Sequence, residues 1–281
     1  CCMATVDHPH NGCWNSSKSD FPAPKVDEIS PSEYYYSDYM KQLRSDMRGG
    51  KTTPLIEKVC ANCIKEEKEG REGQRIPQSN EPLGRVIEVK LRLYGNVCNL
   101  SCYMCRIKDS SSRIKQTEKL MEIDPEFGKI LEYDKLTDEM KHGGVNYNVI
   151  EDLKKLAPKI SKIYIIGGEP FIMPRHYEVL NALIEIGQAK NIVLKYHTNL
   201  TKLEWEGNHV FDYIKKFKGC DISWSLEALG ERNDYIRFGS NWESNLKNYH
   251  KIKKYAKVWG SVTTTSLSIL SLHETIEWMR N

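Results

Sequence analysis

The chain has 281 residues, with 41 basic and 38 acidic side chains and a formal net charge of +3. This length supports one large domain plus a small one, and the balanced charge gives no indication of a nucleic-acid partner. No apolar stretch approaches the roughly 20 residues that span a membrane, and nine cysteines in short spacings favour metal ligation in a reducing compartment, the cytoplasm.

The first part of the chain contains five cysteines, among them an adjacent pair and a Cys-x2-Cys pair. They are Cys1, Cys2, Cys13, Cys60 and Cys63. Between the first and last of them, the apolar spacing of residues 36–47 predicts a helix. Cys60 and Cys63 form a Cys-x2-Cys pair, which is also typical of half a zinc ribbon, whereas the spacing of Cys13 matches no metal site that we recognise.

A domain boundary is predicted in the polar stretch that follows. Residues 66–82 are rich in Glu, Lys, Arg and Gly and include Pro77 and Pro82, which interrupt regular structure. Strands alternate with helical segments from there onward, which indicates a parallel α/β sheet. We therefore predict a small domain over residues 1–84 and a larger one over 85–281.

The first strand of the larger domain, predicted over 86–93, leads into a loop with three cysteines. Cys98, Cys102 and Cys105 have the spacing C-x3-C-x2-C. Three thiolates on one loop can bind three corners of a cubane iron–sulfur cluster and leave the fourth iron open, whereas electron-transfer clusters use four cysteines. A structural zinc site and simple buried thiols are the alternative interpretations.

The next strand, predicted over 162–167, is a β-branched apolar run typical of a strand buried on both faces. It ends in Gly167, Gly168, Glu169 and Pro170, and a helix is predicted after it. Glycines allow a ligand to approach the backbone closely, and the Glu169 carboxylate can accept from an ammonium group. An ordinary strand-to-helix turn is the alternative for the glycine pair alone.

Polar residues also follow the later strands. Asn199 comes after the strand predicted over 192–197. In the strand predicted over 221–226, Ser225 points to the same face as Glu227 just beyond it. Arg237 lies in a loop further on, where a solvated surface role is the alternative.

The remaining predicted elements complete the pattern of alternating strands and helices. They are a strand over 257–265 and helices near 111–121, 134–142, 149–157, 175–189, 205–217, 242–256 and 272–280. Cys220 stands alone before a strand and is typical of a small core residue. Five strand–helix units are counted in total.

These motifs, in this order and each at a strand end, resemble those of the radical S-adenosylmethionine (radical SAM) superfamily. The resemblance implies that Cys98, Cys102 and Cys105 hold a [4Fe-4S] cluster whose open iron binds SAM. It implies a partial (β/α)6 TIM-like barrel, and with five units counted we expect the C-terminal part to be incomplete. The site is then expected at the C-terminal mouth of the strands.

The resemblance also implies contacts to SAM. Its amino group would bind the Gly-Gly-Glu-Pro segment, its carboxylate would bind Arg237, and its ribose hydroxyls would bind Ser225 and Glu227. Met104 stands where relatives carry an aromatic residue beside adenine, and a thioether can serve there. The family often has Thr-Asn-Gly where this chain has Thr198, Asn199 and Leu200, and often Asp at Glu227, so the sequence departs from the pattern at two positions.

The cysteines of the small domain resemble those of the twitch domain, a reduced form of the SPASM domain. The resemblance implies an auxiliary iron–sulfur cluster held by Cys1, Cys2, Cys60 and Cys63. In that family a further cysteine lies upstream, so we expect the domain to be N-terminally incomplete. Cys13 is a candidate substitute ligand.

The function implied by the resemblance is reductive cleavage of SAM to a 5′-deoxyadenosyl radical that abstracts hydrogen from a substrate. The expected partners are an electron donor such as flavodoxin or ferredoxin and a peptide or protein substrate. Two alternatives from other classes stay open. One is a zinc-stabilised binding module, and the other is a radical SAM fold that acts as a scaffold without catalysis.

Overall fold

The computed structural model describes residues 29–49, 52–72, 87–92, 95–141 and 150–280. The chain divides into two compact units, one formed by residues 1–89 with 148–160 and the other by 90–147 with 161–281. The predicted domain border at 84/85 lies near this division, and 148–160 is assigned to the first unit as well. Cys1, Cys2 and Cys13 lie outside the described residues.

The regular elements are numbered in chain order. The helices are α1 (Pro31–Tyr36), α2 (Asp38–Arg48), α3 (Pro54–Val59), α4 (Ala61–Lys68), α5 (Ser111–Ile123), α6 (Glu126–Ile130), α7 (Asp138–Lys141), α8 (Ile150–Leu156), α9 (Pro174–Glu185), α10 (Val210–Ile214), α11 (Gly230–Ile236), α12 (Trp242–Ile252) and α13 (Leu272–Arg280). The strands are β1 (Ile87–Arg92), β2 (Ile160–Ile166), β3 (Val193–Thr198), β4 (Glu204–Trp205), β5 (Asn208–His209), β6 (Gly219–Ser225) and β7 (Lys257–Ser261). No helix in the described ranges is long and apolar enough to cross a membrane.

Residues 29–49 and 52–72 of the first unit fold mainly into the helices α1 to α4. Ser30 begins α1 with a capping box that it forms with Glu33, in which the side chain of each residue bonds the other's backbone N–H. Helix α2 occupies most of the segment predicted as a helix over 36–47. Its apolar face places Met40 and Leu43 against Ile56 of α3, and these buried side chains form the core of this unit.

The second unit is built on a five-stranded sheet with the order β1-β2-β3-β6-β7. The pairs β2–β3, β3–β6 and β6–β7 are parallel, so the prediction of an α/β fold with a parallel sheet is confirmed. The strands carry β-branched and apolar residues because helices and loops cover both faces of such a sheet. Parallel pairing brings the C-terminal ends of the strands, where the sequence places its polar motifs, to one edge.

The prediction of a helix over 205–217 is wrong for the first half of that range. Strands β4 and β5 form an antiparallel hairpin there, and Glu206 and Gly207 at its tip have φ values of 49° and 79°. A two-residue hairpin turn of the common type needs positive φ at both central positions. The helix α10 begins only at Val210, after the hairpin. Likewise, the helix predicted over 134–142 is a 3₁₀ turn followed by α7.

An aromatic cluster fills one side of the sheet near β6. Trp224 is 1% exposed, and its ring stacks on Trp242 and Tyr249 of α12 with centroids 5.8 and 5.4 Å apart. Trp278 of α13 packs edge-on against Trp224 at 6.0 Å. Burial of these large rings fixes α12 and α13 against the sheet.

We predict that Trp224→Ala lowers the free energy of unfolding by about 3–5 kcal/mol, because it removes a large ring from a packed interior and leaves a cavity. Trp259→Ala on β7 is the matched control, since that ring is 47% exposed and we expect it to cost about 1 kcal/mol or less. Urea unfolding measures both. Equal losses in the two variants would contradict the central place of Trp224 in the core.

Candidate active site at the strand ends

The loop with the three cysteines follows β1 and is held along its backbone by the segment after α11. The N–H of Ser101 donates to the carbonyl of Phe238 at 3.0 Å, and the N–H of Tyr103 donates to the carbonyl of Ile236 at 2.8 Å. Both bonds flank Cys102, the middle cysteine. The loop conformation therefore depends on residues more than 130 positions later in the chain.

A run of three serines holds the other side of this loop. Ser110 Oγ donates to the carbonyl of Leu100 at 2.7 Å, and Ser112 Oγ donates to the carbonyl of Cys98 at 2.7 Å. Ser111 Oγ accepts from the N–H of Cys98 at 3.1 Å. Sequence analysis missed these three residues, although a serine run directly before a helix is a recognisable signal for capping.

Burial and hydrogen bonding shift the pKa of each of the three thiols. Burial raises the pKa of Cys98 to about 11. The pKa of Cys102 is raised, chiefly by a hydrogen bond to Cys105 and secondly by burial. The same bond lowers the pKa of Cys105 to about 7. A thiol that donates to a neighbouring thiolate has this pair of opposite shifts.

The donor set of this loop, three thiols, is of the kind that binds a cubane cluster. In the described part of the chain, no three Cys, His, Asp or Glu side chains are arranged to hold one metal ion. A cubane does not require that arrangement, because each thiolate binds a different iron. Cys98, Cys102 and Cys105 on one loop meet this requirement for three irons.

The glycine pair after β2 lies directly against the cysteine loop. Gly168 has φ of +48°, and a Cβ atom there would lie 2.1 Å from the carbonyl oxygen of Val97. The N–H of Glu169 donates to that same oxygen at 2.7 Å. Gly167 also has a positive φ, of 94°. The close approach of the two loops thus requires glycine at position 168.

The Glu169 side chain is fully buried and joins two loops. Its carboxylate accepts from the N–H of Phe171 at 3.1 Å, from Thr198 Oγ1 at 2.7 Å and from the N–H of Asn199 at 2.7 Å. Burial raises its pKa to about 7, against the opposing effect of these hydrogen bonds. These bonds fix the position of the carboxylate between the two loops, and the predicted contact of Glu169 with a ligand stays a prediction.

Buried aromatic side chains pack against the residues that directly follow Glu169. Pro170 begins a 3₁₀ turn that ends at Ile172. Phe171 in this turn packs edge-on against Tyr196 at 5.1 Å, and Tyr177 donates its hydroxyl to the Phe171 carbonyl at 2.9 Å. These contacts fix the turn from which the Glu169 side chain extends.

The segment after β3 reaches the first cysteine. Asn199 Nδ2 lies 3.9 Å from Cys98 Sγ and donates to Asn99 Oδ1 at 3.1 Å. Leu200, where the family pattern has glycine, adopts φ of +61°. This left-handed conformation costs a non-glycine residue about 1–2 kcal/mol. The Leu200 side chain is fully buried, which offsets that cost.

Arg237 and Glu227 form a buried ion pair beside the middle cysteine. Two guanidinium nitrogens, Nε and Nη2, bond the Glu227 carboxylate, the second at 3.0 Å. The third, Nη1, lies 3.6 Å from Cys102 Sγ. The N–H of Thr263 donates to Glu227 Oε1 at 3.3 Å. A ribose contact through Glu227, as the sequence predicted, would compete with this pair.

Most of the predicted site residues of the larger unit lie at the same sheet edge. Ser225 ends β6 and is half-buried, as is Met104 on the cysteine loop. Cys60 and Cys63 belong to the other unit. There Cys60 is 3% exposed and packs with Met40, Leu43 and Ile56, a placement that a small core thiol also adopts.

The sequence model of the Radical SAM superfamily matches residues 93–281, well over half of the chain. No curated protein matches the sequence.

Among solved structures, the chain is similar to "Native anSMEcpe with bound AdoMet", with 16% sequence identity and a TM-score of 0.47. The match covers 69% of this chain and 48% of that chain. SuiB of Streptococcus suis bound to S-adenosylmethionine is 14% identical with a TM-score of 0.41 and covers 88% and 49%. SuiB bound to its precursor peptide SuiA is 13% identical with a TM-score of 0.38 and covers 90% and 55%. The chain thus spans about half the length of these proteins.

We predict that Gly168→Ala disrupts the contact between the two loops, because the added methyl would overlap the Val97 carbonyl. We expect a loss of at least about 3 kcal/mol in unfolding free energy. The matched control is Gly187→Ala, where φ is +69° but nothing lies within 4 Å of the added atom, and we expect about 1–2 kcal/mol there. Urea unfolding compares them, and similar losses would argue against a steric requirement at Gly168.

We predict that Glu169→Gln lowers stability by about 1–3 kcal/mol at pH 8, because the amide NH₂ group cannot accept and leaves a buried donor unsatisfied. Chemical denaturation of protein without added SAM measures this effect. If Glu169 served only to bind a ligand, the variant would keep wild-type stability and lose affinity for SAM alone. Thr201→Val is the control, since Thr201 lies in the same loop but does not contact Glu169.

Proposed function

The chain belongs to the radical SAM superfamily, and on that premise we propose that it is an enzyme that cleaves S-adenosylmethionine reductively and uses the resulting 5′-deoxyadenosyl radical. The observation that best supports this proposal is the position of the cysteine loop. Cys98, Cys102 and Cys105 come from one loop at the strand ends, next to the glycine pair at 167–168. Three thiols there can hold three irons of a [4Fe-4S] cluster and leave the fourth iron open to SAM.

The protein's contribution is to bind and orient, because the cofactors carry the chemistry. When bound, the cluster supplies the electron for SAM cleavage. The backbone at Gly167 and Gly168 gives room for the amino-acid part of SAM, and Asn199 lies beside Cys98. We place Ser225 near the ribose and Met104 near the adenine.

The two buried acids position the site in this proposal. Glu169 holds the Gly-Gly-Glu-Pro turn against the end of β3 through Thr198 and Asn199. Glu227 orients Arg237, whose remaining Nη1 faces Cys102 Sγ. A donor next to a cluster thiolate stabilises the reduced state and tunes the potential. The predicted contact of Arg237 with the SAM carboxylate stays a prediction.

The auxiliary cluster, the electron donor and the substrate stay predictions. Cys60 packs in an apolar core, which does not support ligation by Cys60, while Cys1 and Cys2 lie outside the described residues. A flavodoxin or ferredoxin as donor and a peptide or protein side chain as substrate follow from the sequence resemblance, and a cytoplasmic location is predicted from the cysteine usage. A zinc-stabilised module and a non-catalytic scaffold are the alternatives that experiment separates.

We predict that Cys98→Ala, Cys102→Ala and Cys105→Ala each abolish SAM cleavage, because a cubane with two protein thiolates is not retained. The measurement is the yield of 5′-deoxyadenosine from anaerobically reconstituted, dithionite-reduced protein, together with iron content and visible absorption. Cys220→Ala is the matched control, since Cys220 is buried in β6 and its thiol faces the core. It should retain both iron and activity.

Several outcomes would contradict this assignment. Colourless protein that binds zinc would support the binding module, and a brown protein that never cleaves SAM would support the scaffold.

The predicted auxiliary cluster has a separate test. Iron that persists in the triple variant lacking Cys98, Cys102 and Cys105 would indicate a second cluster. Its loss on further Cys63→Ala substitution would support the auxiliary site, and an unchanged iron content would exclude Cys63 as a ligand.

A further inference from the structure

The first unit contains an open cavity of about 410 Å³ that the proposed chemistry does not use. Its walls are formed by Tyr35, Tyr36, Lys41, Arg44, Ser45 and Lys159. Three of these six side chains are cationic, two are aromatic and none is acidic. A volume of this size is within the range of small-ligand sites.

The cations are held in place by the tyrosine rings. Arg44 Cζ lies 4.2 Å from the centroid of the Tyr35 ring, and Arg44 Nη2 donates to the Tyr35 carbonyl at 2.8 Å. Lys159 Nζ lies 5.1 Å from the centroid of the Tyr36 ring. The two rings meet edge-on at 5.1 Å. Cation–π contacts of this kind fix the charged groups before any ligand arrives.

One hydrogen-bond donor of these cations is unsatisfied. Arg44 Nη1 is buried and has no hydrogen-bond partner among the described residues. A buried, unsatisfied guanidinium N–H is costly unless a ligand accepts from it. Lys41, one of the three cations, pairs with Asp38 at 3.0 Å. Both side chains of that pair are well exposed, so the pair is weak and leaves Lys41 available.

From these observations we propose that this cavity is a binding site for the phosphate group of a small molecule. Three cationic side chains on two different segments surround it, and a tetrahedral phosphate offers three acceptor oxygens in different directions. A carboxylate offers only two oxygens in one plane. Arg44 would supply the donor now unsatisfied, and Lys41 and Lys159 would supply two point charges.

The test is isothermal titration of the full chain with inorganic phosphate and inorganic pyrophosphate, with succinate as the carboxylate reference. Cluster content is matched between all variants, and the site lies apart from the cysteine loop in sequence, so the result does not depend on the proposed SAM chemistry. We expect saturable binding of both phosphates and at least tenfold weaker binding of succinate. Affinity should fall steeply with added salt.

Two substitutions address the site without removing its buried guanidinium. Lys159→Met removes one cation, and Ser45→Asp places a negative charge on the exposed wall of the cavity. Each should weaken phosphate binding at least tenfold. Lys65→Met is the matched control, because Lys65 is exposed in the same unit but does not line the cavity. It should bind within about twofold of wild type.

Arg44→Met tests the orphaned donor directly and should abolish binding, with circular dichroism used to establish that the helices remain folded. The proposal is overturned if folded wild-type protein shows no saturable binding of either phosphate. It is also overturned if succinate binds as tightly as phosphate, or if Lys65→Met weakens binding as much as Lys159→Met. In the last case only the general charge of the unit would attract the anion.

Discussion

The buried carboxylate of Glu169 is the constraint on which the site geometry depends. A carboxylate without solvent must be satisfied by donors, and its three donors come from its own turn and from the end of the neighbouring strand β3. The backbone N–H of the same residue bonds the cysteine loop at Val97. One residue therefore ties the ends of two parallel strands and the loop after a third, and none of these loops can shift alone.

A second buried charge system repeats this arrangement on the other side of the cysteine loop. Arg237 and Glu227 neutralise each other and approach Cys102. The geometry of a fork-shaped guanidinium is fixed by the bidentate pair, so the third nitrogen has a defined direction. Burial of an ion pair adds little stability compared with an apolar pair, and its value here is the position that it gives to a donor.

Much of the fold and the location of the site could be predicted from the sequence, because those signals are local. The spacing of Cys98, Cys102 and Cys105 and the apolar run before Gly167 are each contained within a few residues. The partners of Glu169 and of Glu227 could not be predicted, since they come from other strands and only tertiary packing brings them together. The hairpin at 204–209 was missed because the helical spacing of the apolar residues from Val210 onward was extended back to Trp205, across the turn at Glu206 and Gly207.

The backbone bonds from Ser101 and Tyr103 to Phe238 and Ile236 have a consequence for biosynthesis. The ribosome makes the cysteine loop first and its support some 130 residues later, roughly ten seconds at typical rates of elongation. During that interval the loop is held first by the serine run and then by Glu169 and Asn199, and the two bonds that flank Cys102 form last. Cluster delivery to the nascent chain before then would meet an incompletely formed loop, so maturation is expected to follow synthesis of α11 and not to accompany it.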